Sequence, residues 1–207
     1  ISFKEEVMFR LYEFPSSGNC YKLRLAMSFL EINFSRIEID ITKGASRTEE
    51  FLKINPNGRV PVLETPDKNY LPESNAALWY LASESDLMPE DKLEQAQVLQ
   101  WMFFEQYSHE PFIATSRYWV HILNKEDQYK SELLEKRPKG YAALDVMEQH
   151  LEDNNFFVGN KFSAADIALY AYTHVANEGG FDLSKYTAIN KWFSRIENVR
   201  NYITINE

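Results

Sequence analysis

The sequence predicts two units of different class: an α/β domain of order β-α-β-α-β-β-α over residues 1–84, and an all-α helical bundle over residues 93–207. Three observations carry this. Short runs of strand-forming, often alternating apolar residues occur before residue 73, and strand patterns vanish beyond it. Apolar stripes at helical spacing recur throughout and lengthen after residue 93. Between the two lies SDLMPEDK (85–92), polar, carrying Pro89 and without period, which reads as a linker.

In order, VMFRLYEF (7–14) is an aromatic and branched strand, and PSSGN is a turn. YKLRLAMSFL follows, with Leu23, Ala26, Met27 and Leu30 on one helical stripe. FSRIEIDI (34–41) alternates and puts Ile37, Ile39 and Ile41 on one face. TEEFLKI is a brief helix and NPNG a turn by composition. VPVLE and NYLPE are short strands around TPDK, and SNAALWYLASE is a helix, an order that suits a sheet covered by helices. Beyond the linker, Ala96, Leu99, Met102 and Phe103 begin a long amphipathic helix from about 93 to 107, which Pro111 is expected to kink or end. YAALDVMEQHL, AADIALYAYTHVA and AINKWFSRI are further helices.

The totals narrow the function. A chain of 207 residues with a formal charge of −9 lacks the Lys and Arg excess of a nucleic-acid surface. One cysteine, Cys20, excludes an intrachain disulfide and any CxxC pair, and fits a reducing compartment such as the cytoplasm. No run approaches the ~18 apolar residues of a membrane span. The opening ISFKEEVMFR has no basic segment followed by an apolar core, so no signal peptide is read there. His109, His121, His150 and His174 show no metal-ligand spacing, so no metal is expected.

Three motifs in order, SSGNCYKLRL, NPNGRVPVL and PESNAALWYL, with FSAAD in the helical half, make the whole chain resemble a cytosolic glutathione S-transferase of the serine type, similar to the bacterial theta, phi and nu kinds. The resemblance implies a thioredoxin-like N-terminal domain that binds glutathione and a helical domain that binds an electrophile. It implies transfer of the glutathione thiol to an apolar electrophile or a peroxide, with glutathione as co-substrate, no further cofactor, and a homodimer. A non-catalytic interaction module on the same fold and a glutathione-dependent disulfide reductase are the alternatives.

The residues can be weighed beside that resemblance. Pro61 sits inside an apolar run where a sheet would want an N–H, so it marks either a tolerant edge strand or a deliberate interruption. In the family the corresponding proline is cis, which implies that Val60 offers its N–H and C=O to an extended tripeptide. Glu73 and Ser74 stand where a strand meets a helix; Ser74 reads as an N-cap, and the first helical N–H groups suit an anion. The resemblance gives Ser74 the γ-glutamyl carboxylate and Glu73 the ammonium. It gives Ser17 a hydrogen bond to the glutathione sulfur, with the adjacent Ser16 as rival. Either serine could also be a plain helix cap. For the glycyl carboxylate, Arg47 and Arg59 are the candidates; a His-Lys pair used in one plant class falls on Ser46 and Arg47. Cys20 reads as helix packing rather than a nucleophile. In FSAAD, Ser163 and Asp166 form a capping box, with Phe162 and Ile167 as its staple. Phe14, Tyr107, Phe112 and Tyr118 are candidates for the electrophile pocket. Gln100 and Glu105 are candidates to reach a partner subunit's γ-glutamyl group, and Val98 and Trp101 widen the apolar girth of their helix toward a dimer contact.

Overall fold

The computed structural model describes residues 8–207; Val7, at the head of the first predicted strand, and the six residues before it lie outside the described residues. The first unit runs β1 (Phe9–Glu13), α1 (Gly18–Phe29), β2 (Phe34–Glu38), α2 (Glu49–Ile54), β3 (Val62–Glu64), β4 (Tyr70–Pro72) and α3 (Ser74–Ala82). Its sheet has the order β2-β1-β3-β4, with β1 parallel to β2 and antiparallel to β3, and β3 antiparallel to β4. Leu11 of β1 pairs with Leu63 of β3, and both are buried with Leu23, Leu25 and Met27 of α1 and Leu78 of α3. Leu11, Leu63, Leu23 and Met27 are apolar positions that the strand and helix periods demand, but α1 is buried well beyond its one stripe: Leu25, Lys22 and Arg24 are interior too.

β2 is shorter than its alternation suggests. The Asp40 carboxylate accepts from Thr42 N–H at 3.0 Å and caps a single 3₁₀ turn, Ile41–Lys43, which takes Ile41 out of the strand. The run around Pro61 resolves differently too: the Val60–Pro61 bond is cis, and β3 begins only at Val62, which pairs with Pro72 on the edge strand.

The second unit contains α4 (Lys92–Phe104), α5 (Glu110–Arg117), α6 (Lys130–Asp153), α7 (Ala164–Thr173) and α8 (Thr187–Glu197). α4 does not end at Pro111. It widens into a π-helical turn, Glu105–His109, and continues as α5, in whose first turn Pro111 sits where a missing N–H costs nothing. A second π turn, Tyr118–Ile122, follows α5. Every residue of α7 is buried, and it packs against both α1 and α4. Its start is held as FSAAD suggests: the Asp166 carboxylate accepts from Ser163 N–H at 2.9 Å, from Phe157 N–H at 3.2 Å and from Trp192 Nε1–H of α8 at 2.9 Å.

After α8 the chain returns to the first unit. Tyr21 donates its hydroxyl to the Ile203 carbonyl at 2.6 Å, Ser28 to that of Asn201 at 2.7 Å, and Arg24 reaches the Ile205 carbonyl at 2.7 Å. Arg24 and Arg36 both pair with buried Glu13, and Arg36 also holds the Glu207 carbonyl.

Candidate active site

A cavity of about 740 Å³ opens between the two units. One wall comes from the loops at the ends of β1 and β3 and the head of α3, and contributes Phe14, Ser16, Ser17, Val60, Pro61, Glu73 and Ser74. Arg47 and Arg59 stand at the same wall. The opposite wall comes from the π turn and α5, with Gln106, Glu110, Thr115, Arg117 and Tyr118, and from Tyr172 of α7.

Ser17 is the N-cap of α1. Its oxygen accepts from Cys20 N–H at 3.3 Å, which leaves the hydroxyl proton free to donate. The Tyr172 ring lies so close over Gly18 that an added Cβ would come within 2.6 Å of it, so the glycine admits the phenol beside Ser17. Burial, above all, raises the Tyr172 phenol beyond its ordinary range, so it stays protonated. The Ser16 carbonyl accepts from Arg117 at 2.5 Å, and the Arg117 guanidinium is fixed from behind by Glu178 at 2.6 Å. Cys20 is wholly buried, its sulfur accepts from Phe14 N–H at 3.4 Å, and burial pushes its thiol up to about 12. A thiol so placed is no nucleophile at neutral pH.

The loop before Val60 is shaped by NPNG. Asn55 accepts from Asn57 N–H at 3.1 Å and donates to the Arg59 carbonyl at 2.8 Å. Gly58 has φ +63°, and a Cβ there would meet Arg47 Nη1 at 2.5 Å. Arg47 itself donates to the Asn57 carbonyl at 3.0 Å. The Val60 backbone stands outside the β3 ladder, which starts two residues later, and faces the cavity.

Ser74 is not the N-cap. That position belongs to Glu73, which has φ +69° and makes no side-chain cap, and Ser74 is the first helical residue. A left-handed conformation at a non-glycine residue costs of order 1–3 kcal/mol and concentrates at ligand sites. The freed Ser74 hydroxyl donates to Asn19 Oδ1 at 3.1 Å and accepts from the Lys22 ammonium at 3.3 Å.

Three candidates lie elsewhere. Tyr107 is 85% exposed and Phe112 faces α6, under Lys136 at 5.6 Å and Lys139 at 5.5 Å, so neither lines the cavity; Phe14 and Tyr118 do. Glu105 is fully buried within the chain, in an ion pair with Lys22 at 2.8 Å, and cannot reach a partner. Gln100 remains exposed. Gln106, Glu110, Arg117 and Tyr172 lie outside every motif, and Asn19 lies within SSGNCYKLRL without a role read for it. Among the described residues no group of three or more His, Cys, Asp and Glu could hold a metal ion.

A sheet and helices of this order, a helical domain docked on α1, and a cis proline at the rim of the cavity define a thioredoxin-like protein with a cleft between its α/β and helical units. The chain belongs to the glutathione S-transferase family: the family's N-terminal domain matches residues 7–83 and its C-terminal domain residues 101–199. A crystal structure of a possible glutathione S-transferase from Rhodopseudomonas palustris is 45% identical, covers 97% of this chain and 98% of its own, and superposes with a TM-score of 0.94. The glutathione S-transferase of Pseudomonas fluorescens Pf-5 is 44% identical over 97% of this chain and all of its own, also with a TM-score of 0.94. The disulfide-bond oxidoreductase YfcG of Escherichia coli is 28% identical over 198 residues, 92% of this chain and 91% of that protein. No described helix is long and apolar enough to cross a membrane.

Proposed function

We propose that the protein is a cytoplasmic glutathione transferase that binds the tripeptide along the sheet-side wall of the cleft and ionises its thiol for attack on an electrophile or peroxide. The observation that carries this is the meeting of Ser17, the Val60 backbone and the uncapped head of α3 in one cavity. In this reading Val60 pairs with the cysteinyl backbone, Ser74 and the first N–H groups of α3 take the γ-glutamyl carboxylate, and Glu73 takes its ammonium. Arg47 and Arg59 serve the glycyl carboxylate. The Ser17 hydroxyl donates to the sulfur and favours the thiolate. The electrophile enters against Phe14 and Tyr118; with Arg117 and Thr115 beside them, that half of the cleft favours a co-substrate bearing polar groups as well as apolar ones. No metal or redox cofactor takes part; positioning and ionisation supply the rate.

The protein should be retained on immobilised glutathione, be eluted by free glutathione, and turn over at least one member of a panel of halide, epoxide, peroxide and disulfide substrates. Absence of both retention and a thermal shift at millimolar glutathione would replace this reading with a non-catalytic module. Turnover of disulfides alone would move it to the reductase class.

A homodimer belongs to the same proposal. Phe103 is 68% exposed and Tyr107 lies four residues on, an apolar pair that a monomer leaves in water. Sedimentation at micromolar concentration should give about twice the 24.3 kDa chain mass, and Phe103→Glu should shift it toward the monomer. A wild-type monomer with full glutathione affinity rules the dimer out.

A further inference from the structure

Lys22 and Glu105 are each 0% exposed, and they meet where α1, α3 and the π turn converge beneath the head of α3. The ammonium donates to Glu105 Oε2 at 2.8 Å, to Asn75 Oδ1 at 3.1 Å and to Ser74 Oγ at 3.3 Å. Asn75 closes the ring by donating to Glu105 Oε2 at 2.9 Å. Glu105 Oε1 has no partner. Two other titratable groups face this ammonium: His109, which burial, aided by the Lys22 charge, holds down to about 3 and hence neutral, and Glu110, whose carboxyl burial raises.

An ion pair with an unsatisfied carboxylate oxygen is a poor way to stabilise a junction, since apolar side chains of similar volume often serve as well or better. Its orientation suggests another use. The positive end touches the Ser74 hydroxyl, and the negative end lies on the far side, in the π turn. We infer that the Lys22–Glu105 pair is a positioning unit for the anion subsite at the head of α3. Its ammonium holds Ser74 Oγ as an acceptor, so that the hydroxyl proton, now on Asn19, can turn to an incoming carboxylate. Its charge then selects that carboxylate over a neutral group. This rests on the glutathione reading of the cleft, and adds to it a residue pair that never touches the tripeptide.

The test compares glutathione with 4-aminobutanoyl-cysteinyl-glycine, the same peptide without the γ-glutamyl α-carboxylate, by calorimetry at pH 6.5. That pH is chosen because a buried lysine stripped of its counter-charge loses its proton more readily. Wild type should prefer glutathione. Glu105→Gln keeps the ammonium and removes the opposing charge, and should raise the preference about threefold. Lys22→Met with Glu105→Gln removes both charges without leaving one unpaired, and should lower the preference roughly tenfold. If both variants weaken the two peptides alike, the pair is only structural and the inference fails. If the double variant does not fold, Glu105→Gln still decides by the sign of its change. A wild type that binds glutathione and its analogue equally would overturn the placement of the γ-glutamyl group itself. One that discriminates, with variants that do not alter the ratio, would overturn only the role of Lys22.

Discussion

Ser17→Ala is expected to lower kcat/KM for conjugation about 25-fold at pH 7, and to cost almost nothing at pH 9. A free thiol of pKa ~8.5 is about 3% ionised at pH 7, whereas a site that lowers it by about two units ionises about three quarters of it. The thiolate is the charged form, so a donor to the sulfur lowers the pKa, and its removal costs rate only below the unassisted value. The profile should therefore move upward by about two units while the high-pH plateau stays within about twofold. The place of Ser17 as the N-cap of α1, where the helix N-terminus favours a nearby anion, favours it over its neighbour. A larger loss in Ser16→Ala than in Ser17→Ala would reverse that choice. An unchanged profile in both would pass the role to the Tyr172 phenol.

The largest effect on stability should come from a residue remote from the cleft. Asp166→Ala leaves Trp192 Nε1, Phe157 N and Ser163 N without their acceptor in a buried setting. Each stranded donor costs about 1–3 kcal/mol, so a loss of about 4 kcal/mol is expected, a large share of the 5–15 kcal/mol typical of a domain. Urea unfolding at pH 7 should show the midpoint falling at a nearly constant slope. Trp192→Phe should cost less than half as much, because it strands no donor and leaves Asp166 its other partners. A drop below 1 kcal/mol in Asp166→Ala would mean that water replaces the carboxylate and that the box is not the clamp described.

Much of this arrangement was legible in the residues, and the failures have definite causes. β1, α1, β3, β4 and α3 follow from period-two and period-3.6 stripes whose apolar members are the buried ones, such as Leu11, Leu23, Met27 and Leu78. FSAAD was legible because a capping box is a purely local pattern. Tyr107 was misplaced because a reading at 3.6 residues per turn cannot register a π turn, whose extra residue rotates the face that follows and swings Tyr107 outward. Glu105 lies on the buried helical stripe of Val98, Trp101 and Met102, and only its charge made it look exposed. Ser74 was misread because nothing local reveals a left-handed glutamate ahead of it. Lys22, within YKLRLAM, looks like any solvated lysine on an amphipathic helix; only the approach of α3 and the π turn makes it interior. Polar residues joined across long sequence distances, such as Arg117 with Glu178 and Ser74 with Asn19, leave no spacing to read.

The return of the chain after α8 bears on how the cleft is held together. The helical unit meets the α/β unit along α7, which packs on α1 and α3, and again at the segment that Tyr21, Ser28 and Arg24 clasp. Arg117 and Glu105 add polar ties to Ser16 and Lys22. The linker before α4 is thus a tether that the packed faces hardly need. Cutting the peptide chain between α3 and α4 should leave two fragments that stay together and keep the cleft between them.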